Sequence, residues 1–131
     1  MAQENVEIVR RLNAAFNRGD VPGFLELLDP ACEWWDREDD PGATVHRGHD
    51  GVRTFLAEIA EGVELQIEQL GFVEAGDSVV VPLRLFVRGL ASGVPFEEHE
   101  VHVSKLRGGK VTEVREYRER SEALKAVGLA E

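Results

Sequence analysis

The sequence predicts an α+β fold, with helices gathered toward the front of the chain and an antiparallel sheet behind them. Three observations carry this. Apolar residues recur at helical three- and four-residue spacing through the early chain, and the period changes to two at Val63. Four strands then follow one another with only turn signals between them. Strands joined by short turns pair antiparallel, whereas a doubly wound parallel sheet needs a crossover helix after each strand.

The first helix is expected over residues 3–18, where Val6, Val9, Leu12 and Phe16 share a face with Ile8 and Ala15 beside them. Gly19 ends it, and Asp20 caps a short second helix with Pro22 in its first turn and Phe24, Leu25, Leu27 and Leu28 as its buried side. Residues 32–36 read as a strand, and the Asp-, Pro- and Gly-rich residues 37–48 read as a loop. A third helix starts near His49 and Asp50, buries Val52, Phe55, Leu56 and Ile59, and stops at Gly62.

Val63, Leu65 and Ile67 alternate with Glu64, Gln66 and Glu68, the pattern of a strand with one dry face, and Gly71 marks a bulge. Gly76 and Asp77 turn the chain into a strand over 79–88, whose Val79, Val81, Leu83, Leu85 and Val87 form one apolar face. A strand over 96–106 meets a strand over 111–118 through Gly108 and Gly109, a two-residue hairpin turn. Ser121 is expected to cap a closing helix through Leu124 and Val127, ended by Gly128.

The length of 131 residues suits a single domain over 1–131 with one core. With 43% apolar and 31% charged residues, neither disorder nor a membrane protein is favoured. The longest apolar stretch, 79–87, holds Pro82 and Arg84 and is far too short to cross a bilayer. The net charge of −10 argues against nucleic acid, whose binding needs clustered cations. A start without a basic, apolar leader and a single Cys32, expected to be a packed thiol, point to the cytoplasm.

Particular residues add a resemblance. Phe16-Asn17-Arg18-Gly19-Asp20, Leu28-Asp29-Pro30-Ala31-Cys32-Glu33-Trp34 and Arg47-Gly48-His49-Asp50-Gly51-Val52-Arg53 belong to the set that carries it. So do Gly109-Lys110-Val111 and Glu116-Tyr117-Arg118-Glu119-Arg120, running into Ala123-Leu124-Lys125-Ala126-Val127-Gly128-Leu129. Over nearly its whole length the chain resembles the SnoaL-like branch of the nuclear transport factor two-like superfamily, relatives of ketosteroid isomerase and polyketide cyclase. That resemblance implies a cone-shaped fold, a strongly bent antiparallel sheet closed by the N-terminal helices around a small-molecule pocket. The positions of the ketosteroid isomerases' oxyanion-hole Tyr and Asp and of their base hold Leu12, Val101 and Trp35 here, with Asp36 one residue from the base position. The Arg and Asp arrangement of the epoxide hydrolases is absent, and Glu119 stands where the family has an Asp at the end of the last strand.

The hairpin suggests which residues face the pocket. If Gly108 and Gly109 alone form the turn, Val103 opposes Val114, Val101 opposes Glu116, and His99 opposes Arg118, all on one face. With the valines inside, His99, Glu116 and Arg118 become interior polar groups, and buried ionisable groups must be hydrogen-bonded or neutralised. Glu116 and His99 are therefore the candidate general base and acid, with Asp36 in reserve; a structural Glu116–Arg118–His99 network is the alternative. Trp34 and Trp35 point to opposite faces, so either can be the inward one; we place Trp35 among the ligand-binding candidates, with Arg118, Val101, Val103, Val114, Leu83 and Leu85. His46 and His49 match no metal-site spacing, so no metal or cofactor is expected.

The expected partner is a hydrophobic small molecule. The function is that of a cofactor-free acid–base enzyme of isomerase, cyclase, dehydratase or hydrolase type, or else of a non-catalytic ligand-binding or dimerisation domain. A homodimer is expected through the outer sheet face, which carries Val80, Phe86 and Phe72; nucleic acid and membrane are not expected partners.

Overall fold

A computed structural model of the chain describes residues 2–129. Helix α1 (Ala2–Asn17) buries Val9, Leu12 and Ala15 and is stopped by Gly19 at a φ of 69°. Helix α2 (Val21–Glu26) starts at Asp20, whose carboxylate accepts the Gly23 N–H at 3.0 Å. Strand β1 (Leu28–Trp35) follows directly, longer than its sequence signal, and a short β2 (Val45–Arg47) lies inside the segment expected to be loop. Helix α3 (Gly48–Gly62) then leads into β3 (Val63–Gln69). Around Gly71 the chain leaves one strand and starts another, β4 (Val73–Ala75), and both pair with β5 (Ser78–Gly89).

Strands β6 (Pro95–Arg107) and β7 (Lys110–Tyr117) form the last hairpin, with positive φ at Gly108 and Gly109 as the turn requires. Helix α4 (Arg120–Ala126) closes the chain. Its cap is Glu119 rather than Ser121, because Glu119 and Glu122 satisfy each other's backbone N–H groups in a capping box.

The α+β class with a curved sheet is as the sequence predicts. The strand order is β2-β1-β7-β6-β5-β3, with β4 on β5, and the sheet does not close into a barrel. One pair departs from the antiparallel expectation: β1 runs parallel to β7. Those two strands meet across most of the chain, so no turn dictates their relative direction.

Helices α1, α2 and α3 cover the inner face, where Val79, Val81, Leu83, Leu85 and Val87 pack with Phe24, Leu56 and Trp34. A second core lies on the outer face, where Ala123 and Leu124 of α4 cover Val80, Val101 and Val103.

That second core corrects the hairpin register. The β6–β7 ladder slips between Lys105 and Leu106, because Lys105 faces Glu113 while Leu106 faces Val111. Thr112 is the extra residue, and its hydroxyl donates to the Lys105 carbonyl at 3.2 Å. One residue of slip exchanges the faces of β6. Val101 and Val103 therefore lie under α4, and Glu100, His102 and Ser104 turn inward. Among the described residues no helix is long and apolar enough to cross a membrane.

Candidate functional site

Four side chains from three neighbouring strands converge on the inner face. Trp34 is brought inward by pairing with Val114, and Glu116 stands two residues further along β7. His102 lies directly opposite Glu116 because of the bulge, and Glu100 precedes it on the same face. The Trp34 indole N–H donates to Glu116 Oε2 at 2.7 Å, and His102 Nε2 lies 2.8 Å from Glu100 Oε1. The imidazole stands edge-on to the Trp34 ring, which also packs against Phe24 and Phe55. From the loop after β1, Arg37 holds Asp40 at 2.8 Å and reaches within 3.6 Å of Glu100.

These groups border a chamber of about 50 Å³ walled by Phe16, Phe24, Phe55, Ile59, Ile67 and Leu85, with Asn13 the amide among them. Asn13 is positioned by Gln69, whose side-chain oxygen accepts at 2.9 Å. Glu100 and Glu116 also border an open mouth of about 490 Å³, which lies beside Asp36 and residues 40–43. The two acids thus stand where the chamber meets solvent.

Burial pushes the Glu116 carboxyl up to about 7; the charges of Glu100 and Asp36 add to that rise, against the opposing pull of His102 and the Trp34 hydrogen bond. For His102 burial is the largest effect and acts downward, but the hydrogen bond and charge of Glu100, with the charge of Glu116, outweigh it and leave the imidazole raised. A carboxyl near neutrality beside an imidazole that favours its proton can give or take a proton with little driving force either way.

Glu116 lies on the inner face, but its neighbours are Trp34 and His102 rather than His99 or Arg118. His99 is exposed on the outer face opposite Arg84, since the slip in register turned it away. Arg118 is exposed and bonds Asp39 at 2.9 Å. Val101 and Val103 do not line the chamber, because they are spent on the α4 core. Trp35 points to the opposite face from Trp34, where the Arg115 guanidinium sits 4.0 Å from its ring centre, in a polar groove outside the chamber that Arg118 also borders and that Asp36 and Glu116 reach from its inner edge.

Leu85 lines the chamber, while Leu83 and Val114 lie on the same face but are sealed behind it. Asp36 sits at the mouth, 3.0 Å from His46 Nε2, and accepts the Thr44 N–H at 3.2 Å. His49 bonds the Leu28 carbonyl at 2.8 Å, a structural tie between α3 and β1. Sequence reasoning missed Glu100 and His102 by putting them on the wrong face. The signal that could have found them is in α4, whose Ala123, Leu124 and Val127 need an apolar sheet face to cover.

Glu100, His102 and Glu116 bring their donor atoms within 4.8 Å of one another, the one such cluster among the described residues that includes a buried imidazole. The Arg37 guanidinium stands beside them, 3.6 Å from Glu100.

The chain matches the family model described as SnoaL-like domain over residues 9–114. It is similar to an NTF2-like protein from Burkholderia xenovorans, 33% identical with 98% of each chain covered and a TM-score of 0.78. An NTF2-like protein of unknown function from Burkholderia pseudomallei is 25% identical at a TM-score of 0.81, covering 95% of this chain and 98% of that one. TerC, co-crystallised with polyporic acid, is 25% identical at a TM-score of 0.80, again covering 95% of this chain and 98% of that one. No curated protein matches the sequence.

Proposed function

The chain belongs to the SnoaL-like domain family, and from that premise we propose that it is an acid–base enzyme moving a proton on a hydrophobic, ring-bearing small molecule. The reaction class is isomerisation, cyclisation, dehydration or hydrolysis. The observation that carries this reading is Glu116, a carboxyl raised to about 7 at the junction of chamber and mouth.

In this reading Glu116 is the base. With Oε2 occupied by Trp34, Oε1 is the oxygen that takes a proton from a carbon next to a carbonyl. The electron pair moves to the carbonyl oxygen, and the resulting enolate is stabilised by the protonated His102, which Glu100 orients. Returning the proton to another carbon completes an isomerisation. Asp36, at the mouth beside His46, is the reserve acid. The polyporic acid bound by TerC supports an organic ring as the ligand class.

A panel of cyclic ketones and hydroxyquinones, polyporic acid included, incubated with the protein in deuterated water tests this by NMR. Wild type is expected to exchange carbon-bound hydrogen in at least one bound compound, and Glu116→Gln to bind it with exchange lowered by about 100-fold or more, the scale of a lost general base. Binding without exchange by wild type makes the protein a ligand-binding domain instead.

We also propose a homodimer and a cytoplasmic location, the latter resting on the free thiol of buried Cys32. The dimer rests on exposed Phe86, Leu90, Val94 and Phe96 around the turn between β5 and β6. Val80 no longer supports it, since α4 covers it completely, and Phe72 is half-buried beneath Arg10.

A further inference from the structure

The inner chamber is too small for the ligand class assigned to it. Its volume of about 50 Å³ is roughly a third of the ~150 Å³ apolar cavity that takes benzene. A ring compound whose polar head lies against Glu116 must therefore extend beyond it. Toward the mouth the lining is mixed and open to solvent, with Asp36, Asp40, Glu100 and Glu116 set among Phe55, Ile59, Leu65 and Leu85, so an apolar group there stays beside four acids and water.

In the other direction lies an apolar cleft of about 230 Å³, between the end of α1, the start of α2, the end of α3 and β3. Phe16, Phe24, Leu56, Ile59 and Leu65 wall both the cleft and the chamber, so only side chains separate them. Phe16, Ile59 and Leu65 are only partly buried, which leaves room for rotamer change. Asp20 is the sole ionisable residue of the cleft lining, and its carboxylate is turned to the Gly23 N–H and to Arg18. The cleft is thus mainly apolar, and its one ionisable side chain is already paired.

We propose that this cleft is the second half of the ligand site, taking an alkyl or aryl tail through the side-chain partition while the polar head stays at Glu116 and His102. The proposal rests on the acid–base reading of the chamber for where the head lies. It assigns the substrate class more narrowly: a ketone-headed compound with an apolar alkyl or aryl extension, for which a phenol is the enol-shaped probe.

Calorimetric titration with 4-n-alkylphenols from methyl to octyl tests it. The dissociation constant is expected to fall by about fourfold per methylene until the cleft is full. Ala60→Phe, at the exposed rim of the cleft and away from the chamber, is expected to abolish that gain while leaving 4-methylphenol binding unchanged. Ile59→Ala, which thins the partition, is expected to tighten binding of the longer chains relative to the methyl compound.

A chain-length gain that survives Ala60→Phe, or no gain in wild type, overturns the cleft assignment. Glu116→Gln separates the two readings, because it is expected to weaken the whole series by a common factor without changing its slope. An unchanged methylphenol affinity in that variant counts against the acid site alone, and no binding by any member overturns both.

Discussion

At the residue scale, two ionisable groups are held inside the fold. Glu116 goes from 4.5 to about 7, a shift equivalent to about 3 kcal/mol at most. His102 is displaced upward as well. A group whose folded pKa lies above its unfolded value contributes stability at low pH and loses it as pH rises through the folded value. For Glu116 the contribution is whole below pH 4.5 and gone above about 7, and His102 acts in the same direction at higher pH. Urea unfolding is therefore expected to show stability falling between pH 5 and pH 8, with much of that fall removed in Glu116→Gln. A variant that tracks wild type across the window contradicts the assignment.

At the element scale, what was legible is what local chemistry dictates. The Gly19 stop, the Asp20 cap, the alternation of β3 and β5 and the Gly108-Gly109 turn are read from adjacent residues, and each lies where expected. The Thr112 bulge, β2 and the parallel β1–β7 pair were not legible, because each is decided by distant parts of the chain. Val101 and Val103 are apolar in either register, and only α4 decides which face they take. The same correction moves the proposed dimer surface. With Val80 covered, Phe86, Leu90, Val94 and Phe96 remain 39–58% exposed at one end of β5 and β6, an apolar grouping of the kind that marks an interaction site. Sedimentation at micromolar concentration is expected to give a dimer, and Phe86→Glu a monomer; a monomeric wild type counts against the dimer.

At the scale of the whole molecule, the fold was legible and the site only in part. Trp34, Glu100, His102 and Glu116 come from three strands, so no linear motif announces them, and Glu116 alone was placed on the inner face beforehand. The sheet's curvature and the three covering helices turn that scattered set into one chamber, open toward solvent at one side and divided by side chains from an apolar cleft at the other. Everything in the functional reading depends on Glu116 titrating near neutral pH, so that it can take a proton and give it back. Titration of its side-chain carboxyl carbon by NMR, assigned against Glu116→Gln, measures that directly. A midpoint of about 7 is expected, with a second inflection from the neighbouring His102. A single ordinary transition near 4.5, the value of an unburied glutamate, would contradict it.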